Sequence, residues 1–149
     1  IESRSENAGP ASAVEARSLG FVFAERTPAG TVNIRASVSI EAFEIPEGAA
    51  VNSGRQLTEI ARGQQAAERK ASLLASSTVS TVPGRQGLET YTLVSKPGAS
   101  ELHESFFVLL APDRSAYLVA KFATQEPAYR DQVYWAQFYG ALNSLRFDG

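Results

Sequence analysis

The stretch of residues 85–122 most constrains the fold, because three consecutive strand patterns occur there between turn signals. Residues 86–95 and 101–110 mix β-branched and aromatic residues, a composition that favours a pleated surface. Residues 116–122 are almost continuously apolar, which is typical of a central strand covered on both faces. Pro and Gly in the short connections favour tight turns. The sequence therefore predicts an antiparallel three-stranded meander.

Two further strand patterns precede the meander. Residues 20–25 form a short apolar segment, and residues 31–43 alternate strictly between apolar and polar side chains. Such alternation predicts a strand with one buried face, and together the two segments predict a hairpin. Residues 76–82, which are rich in β-branched and hydroxyl side chains, predict an edge strand next to the meander.

Two helices are expected against this sheet. Ser53, with Gln56 three residues later, resembles a capping box and predicts a helix over residues 54–76. Its apolar stripe is rich in Ala, which would let the helix lie close to the sheet. Thr124 and Pro127 predict the start of a second helix over residues 127–144, with a broad aromatic face.

These elements predict the fold class. It is α+β, an antiparallel β-sheet flanked by helices in an α-β-α sandwich, with residues 19–149 forming one domain. A chain of 149 residues suits one domain with a sizeable core. Residues 1–18 are polar, small and aperiodic, so we expect a flexible leader there. That leader is either a tether from a membrane anchor upstream or a frayed terminus with no role.

Composition excludes several classes of function. The chain has no cysteine, which removes disulfides, zinc–thiolate sites and a cysteine nucleophile. The formal net charge of −2 gives no electrostatic reason to bind nucleic acid. No apolar run approaches the roughly 20 residues that cross a bilayer. Mononucleotide, dinucleotide and zinc-protease motifs do not occur, and no cofactor is expected.

Few residues suggest chemistry. His103 is the only histidine, and Glu101 lies two positions away on the same strand face. This pair could contribute to a metal site or to general base catalysis, although a structural histidine is the favoured interpretation. Glu41, Glu44 and Glu47 flank the end of the long alternating strand. They are interpreted as a solvated rim, with a weak calcium-like oxygen cluster as the alternative.

Two sets of residues are candidates for an interaction surface. Amphipathic aromatic residues recur on the second helix, where they cannot all face the core: Tyr129, Tyr134, Trp135 and Tyr139. Tyr and Trp exposed together are common in interfaces. Arginines repeat every seven residues on the first helix: Arg55, Arg62 and Arg69. A solvated face with local ion pairs is the favoured interpretation of the arginines, and a surface for an acidic partner is the alternative.

Several segments together resemble the PsbP/Mog-like fold group, which includes DcrB- and LpqN-type lipoproteins. The resemblance rests on residues 36–43 before a Pro/Gly loop, the helix around Leu57, residues 84–88 leading into Tyr91, Tyr117-Leu118-Val119, and residues 138–147 (FYGALNSLRF). It implies an antiparallel sheet sandwiched by helices and a role in binding or assembly without catalysis. The group has no shared catalytic residues to transfer to this chain.

Three functions follow from the sequence, in order of preference. The first is a non-catalytic, envelope-associated domain that binds a protein partner or assists assembly, located in the periplasm, the cell envelope or outside the cell, with the cytoplasm as the alternative. The second is a small-molecule or lipid binder that uses a cavity between the sheet and the Ala-rich helix. The third is an enzyme or metal site around His103.

Overall fold

The computed structural model describes the backbone of residues 2–8, 15–26, 29–30, 32–125 and 132–147, and the side chains of residues 29–30, 36–125 and 133–147. Eight strands and two helices lie within these residues. In chain order they are β1 (Glu2–Ala8), β2 (Glu15–Arg26), β3 (Val32–Glu44), α1 (Gly54–Glu68), β4 (Leu73–Ser76), β5 (Ser80–Thr81), β6 (Leu88–Ser95), β7 (Leu102–Leu110), β8 (Ala116–Gln125) and α2 (Gln132–Asn143).

The strands form one antiparallel sheet in the order β1-β2-β3-β8-β7-β6-β4, and β5 also pairs with β6. The predicted meander is confirmed as β6, β7 and β8, and the predicted hairpin is confirmed as β2 and β3. β8 is an interior strand, because it pairs with β7 on one side and with β3 on the other. The predicted α+β class, an antiparallel sheet flanked by helices, is confirmed.

The two helices lie on opposite faces of the sheet. Successive side chains of a strand point to opposite faces, so the neighbours Phe106 and Phe107 of β7 belong to different layers. Phe106 packs with Tyr91 and Leu93 on the side where α1 lies. Phe107 packs with Phe138 of α2 on the other side. We call these sides the α1 face and the α2 face.

The α2 face holds the larger apolar cluster. Phe138 is buried and stacks on Phe122 of β8 at 4.8 Å between ring centroids, while Trp135 meets Phe122 edge-on at 4.5 Å. Offset and edge-to-face ring pairs of this kind add stability beyond the area that they bury. Leu142 completes the helix side of the cluster. Arg85 donates hydrogen bonds to carbonyls at the end of α2, at 3.2 Å and 2.9 Å, which satisfies acceptors that a helix end leaves open.

On the α1 face, ion pairs attach α1 to β6 and β7. The Arg69 guanidinium donates to both carboxylate oxygens of Glu104 at 2.6 Å and 2.9 Å, a bidentate geometry that is stronger than a single hydrogen bond. Glu104 is buried. At the other end of the helix, Arg55 lies 3.2 Å from Glu89 of β6. These contacts position α1 above β6 and β7 and leave β8 and β3 to its side.

The predicted start of α1 is confirmed, but its predicted end at residue 76 is wrong. Ser53 caps the helix by accepting from the amide of Gln56 at 3.1 Å, and the Gln56 side chain accepts from the amide of Asn52 at 2.8 Å. The helix ends at Glu68, and the chain then turns with the Ser72 amide bonded to the Arg69 carbonyl. Residues 73–76 form β4 because pairing with β6 satisfies their backbone groups.

The structure also differs from the sequence interpretation at the amino terminus. Residues 1–18 were expected to be a flexible leader, but Glu2–Ala8 forms β1 and Glu15 already belongs to β2. The two strands pair antiparallel, with Glu2 opposite Phe21. Backbone hydrogen bonds do not require apolar side chains, so a polar, aperiodic composition does not exclude a strand. The predicted start of α2, residues 127–131, lies outside the described residues.

The ion pair with Glu104 predicts that Arg69, the carboxyl-terminal cap of α1, contributes much more to stability than Arg62 within the helix. We expect Arg69→Met to lower the free energy of unfolding by about 3 kcal/mol, because it leaves a buried carboxylate without its main partner. Arg62→Met, which removes an exposed pair with Glu59, should cost less than about 1 kcal/mol. Urea unfolding measures both values.

The double variant Arg69→Met/Glu104→Leu is the control for lost charge pairing. It should be more stable than Arg69→Met alone, since no buried carboxylate is left unpaired. Equal stability losses for Arg69→Met and Arg62→Met would contradict this account of the helix attachment.

Candidate functional site

A groove with a volume of ≈ 280 Å³ opens on the α1 face between α1 and the strands β8 and β3. Ala61, Gln64 and Gln65 of α1 form one wall. The floor comes from alternate residues of the two strands: Ser39, Glu41 and Phe43 of β3, and Tyr117, Val119 and Lys121 of β8. Tyr91 and Phe106 lie where the floor passes under the helix. The groove exists because α1 covers only the β6–β7 side of this face.

One end of the groove is aromatic. The β3–β8 register places Phe43 opposite Tyr117, and their rings stack at 5.0 Å between centroids with an interplanar angle of 19°. Both side chains are half-buried, as is Val119 beside them. Directly opposite residues on one sheet face interact side by side. The pair therefore forms a half-buried aromatic platform at this end of the groove.

The other end of the groove is polar, and some of its polar groups already contact other side chains of the protein. The Lys121 ammonium lies 3.7 Å from the Glu104 carboxylate, the same group that Arg69 holds. Arg69 also donates to the side-chain oxygen of Gln65 at 2.7 Å. Lys121 is thus drawn toward the buried carboxylate.

Among the described residues, Glu41 is the only carboxylate that lines the groove. It lies on β3 opposite Val119, between Ser39 and Phe43 on the same face, and it is half-buried. Among the side chains that the structure describes, none forms an ion pair with Glu41. A negative charge beside an aromatic platform is therefore available to a ligand.

Two groove tyrosines have raised pKa values. Burial raises the pKa of Tyr117, and the nearby charge of Glu41 raises it further. Burial also raises the pKa of Tyr91, and this effect outweighs the opposing charge of Arg69. Both effects disfavour the phenolate. The two hydroxyls therefore stay protonated around neutral pH.

The structure gives each candidate arginine of α1 an acidic neighbour. Arg55 meets Glu89 and donates to the Thr81 hydroxyl at 3.0 Å. Arg62 donates to Glu59 within the helix at 3.0 Å, and Arg69 is the attachment to Glu104. The arginines of the sequence-based interaction surface are therefore paired.

The aromatic candidates of α2 lie on the opposite side of the sheet from these arginines. Tyr134 and Trp135 are half-buried against the α2-face cluster, and Tyr139 is 45% exposed. Tyr129 lies outside the described residues. The described members of the two sets consequently do not form one continuous surface.

His103 lies on β7 on the α2 face, away from the groove. Its Nε2 atom is 3.6 Å from Glu101, and Thr124 of β8 is its register neighbour. Within the described ranges, no group of three or more His, Cys, Asp or Glu side chains could hold a metal ion. Neither described helix combines the length and apolar character that crossing a bilayer demands.

Sequence reasoning did not identify the groove residues as a site. Residues 116–122 were expected to be covered on both faces, but the buried side chains among them lie only on the α2 face. There Ala120 and Phe122 are buried, whereas Tyr117 and Val119 are half-buried. The useful signal was the combination of Phe43 and Glu41, two residues that the strict alternation already placed on one face. Their proximity to Tyr117 depends on the register between β3 and β8.

The chain matches no family model, and no curated protein and no solved structure matches it at a significant level. The resemblance to the PsbP/Mog-like group therefore stays a prediction.

The raised pKa values of Tyr91 and Tyr117 predict a loss of stability in alkaline solution. A tyrosine with a higher pKa in the folded state contributes stability that is fully present below the ordinary pKa of about 10. That contribution is lost as the pH rises through the folded pKa, because the unfolded chain releases its protons first. We expect the free energy of unfolding, measured in urea, to fall between pH 9 and pH 11, values chosen to bracket that pKa of about 10.

Single phenylalanine variants show which tyrosine causes the loss of stability in alkaline solution. Tyr91→Phe and Tyr117→Phe should each make the stability less dependent on pH, because each removes one ionising group. Tyr139→Phe, at an exposed position, serves as the control. An alkaline stability loss that is the same in all three variants would refute the assignment.

Proposed function

We propose that this chain is a non-catalytic binding domain, and that its binding site is the groove between α1 and the β8–β3 part of the sheet. The observation that carries the proposal is the half-buried platform of Phe43 and Tyr117, next to Val119 and Glu41. Ligand sites are typically concave, largely apolar and supplied with a few polar groups that orient the ligand. The groove is concave and combines an aromatic end with several polar groups, which supports the second function expected from the sequence.

The size of the groove favours a small ligand. A volume of ≈ 280 Å³ lies just below the lower limit of about 300 Å³ that is common for pockets of drug-sized compounds. Ala61 on the helix wall leaves room for a ligand, since its side chain is short. A ligand can therefore lie against the rings with the helix beside it.

The titratable groups of the groove favour binding over catalysis. The Tyr91 and Tyr117 hydroxyls have raised pKa values, which makes them weaker acids and keeps them from forming a phenolate base near neutral pH. Lys121 is engaged with Glu104, and His103 lies on the other face of the sheet. These arrangements support a site that holds a molecule without transforming it.

A protein partner and an envelope location remain predictions from the sequence. Val133 and Tyr139 of α2 are large apolar side chains with 61% and 45% exposure, and they support α2 as the contact for such a partner. Because α2 and the groove lie on opposite faces, ligand binding and partner binding would not compete directly.

The groove predicts different effects for two adjacent tryptophan substitutions on α1. Ala61→Trp should fill the groove and abolish ligand binding, whereas Ile60→Trp should leave binding unchanged because Ile60 is 52% exposed. A fragment library is screened on the full chain by two-dimensional amide NMR, and the hits are titrated into each variant. We expect hits to shift the amides of Phe43, Tyr117 and Val119.

Circular dichroism and urea unfolding verify that both tryptophan variants keep the fold. The proposal would be wrong if no fragment perturbs the groove amides, or if Ala61→Trp binds the hits as tightly as Ile60→Trp does.

A further inference from the structure

We infer that the groove selects a small organic cation, an ammonium or guanidinium group on an apolar body. Glu41 is the counter-charge of this cation, and the Phe43–Tyr117 platform is the aromatic surface that it contacts. This inference rests on the proposed function, and it adds the chemical class of the ligand. Its basis is the placement of one available carboxylate beside two stacked rings inside the same groove.

The platform suits a cation because of its electrostatics. An aromatic ring carries partial negative charge on its face, so a cation within about 6 Å of the ring centroid is attracted to it. Phe43 and Tyr117 are stacked nearly parallel, at 19°, and both line the groove. Because stacked rings cover one face of each other, the cation would lie against the outward face of one ring.

Glu41 supplies the second, stronger component of recognition. It lies two residues from Phe43 on the same strand face and diagonally across from Tyr117. Its negative charge is therefore next to the aromatic platform. The raised pKa of Tyr117 supports this proximity, because the charge of Glu41 is one of its two causes. Hydrogen bonds from a charged donor to a carboxylate are about twice as strong as those between neutral groups.

The opposite end of the groove does not offer the same advantage to an anion. Lys121 is its cation, but the ammonium already lies 3.7 Å from Glu104. An anionic ligand would have to compete with that buried carboxylate, and it would also be repelled by Glu41. The apolar body of a cationic ligand, in contrast, can lie over Val119 and against Ala61.

Probes that share an n-pentyl tail test the inference on the full chain. They are n-pentylammonium, n-pentanol and hexanoate, which carry a positive, a neutral and a negative head group. Dissociation constants come from the shifts of the groove amides. We expect pentylammonium to bind about tenfold more tightly than the other two probes, as a desolvated cation on an aromatic face allows. Added salt should weaken its binding only in chains that retain the Glu41 charge.

Variants then assign the selectivity to residues. Glu41→Gln should weaken pentylammonium about fivefold and leave pentanol unchanged, as expected for a partly screened charge pair. Glu44→Gln is the matched control, because Glu44 is exposed and points to the other face of β3. Tyr117→Leu keeps an apolar side chain but removes a ring, so it should reduce the preference for the cation over pentanol.

The outcomes separate this inference from the proposed function. Binding of pentanol or hexanoate in the groove as tight as that of pentylammonium would overturn the cation preference and leave the groove as a binding site. Equal weakening by Glu41→Gln and Glu44→Gln would also overturn it. If none of the three probes shifts a groove amide, the inference fails, and the fragment screen with Ala61→Trp decides separately whether the groove binds ligands.

Discussion

Everything else in this structure depends on the backbone pairing of β8 with both β7 and β3. Nine register pairs join β8 to each neighbour, from Leu102 opposite Gln125 to Leu110 opposite Tyr117, and from Ala36 opposite Thr124 to Glu44 opposite Ala116. An interior strand exposes two faces, and an apolar strand gains stability only if both are covered. One helix on each face must therefore provide the cover, and the lateral position of each helix decides what remains open.

The helices provide unequal cover because different interactions hold them. On the α2 face, aromatic packing centres α2 over β8, where Phe122 meets both Phe138 and Trp135. On the α1 face, charged groups determine the position, since Arg69 binds Glu104 of β7 and Arg55 binds Glu89 of β6. A bidentate pair with a buried carboxylate is intolerant of displacement. The helix is thereby held to one side, and the groove follows from its position.

Much of the fold could be predicted from local patterns. Alternation assigned the faces of β3, the capping box located the start of α1, and short connections indicated the antiparallel meander. The end of α1 could not be predicted, because residues 69–76 contain neither Gly nor Pro and retain apolar spacing. That end depends on pairing between β4 and β6, a contact between segments distant in sequence. Similarly, the polar composition of residues 2–8 did not indicate a strand.

The groove was harder to predict, since its wall on α1 and its floor on β3 and β8 come from distant parts of the chain. The Arg69–Glu104 contact joins residues 35 positions apart, and the Phe43–Tyr117 pair depends on the register of strands that are even further apart. The interpretation of the arginines as a face with local ion pairs is confirmed for Arg62, which pairs with Glu59, whereas Arg55 and Arg69 pair with carboxylates of the sheet. It did not reveal that Arg69 pairs with a buried carboxylate of the sheet, which a single sequence does not encode in any local pattern.

The accessibility of β8 on its two faces tests the central claim most directly, and the chain has no cysteine to interfere. Single variants Val119→Cys, on the groove floor, and Ala120→Cys, in the α2-face core, are exposed to a thiol reagent under native conditions. The account predicts rapid labelling of Val119→Cys, slowed by a groove ligand, and labelling of Ala120→Cys only on unfolding. Equally slow labelling at both positions would show that the α1 face of β8 is closed and would contradict the account.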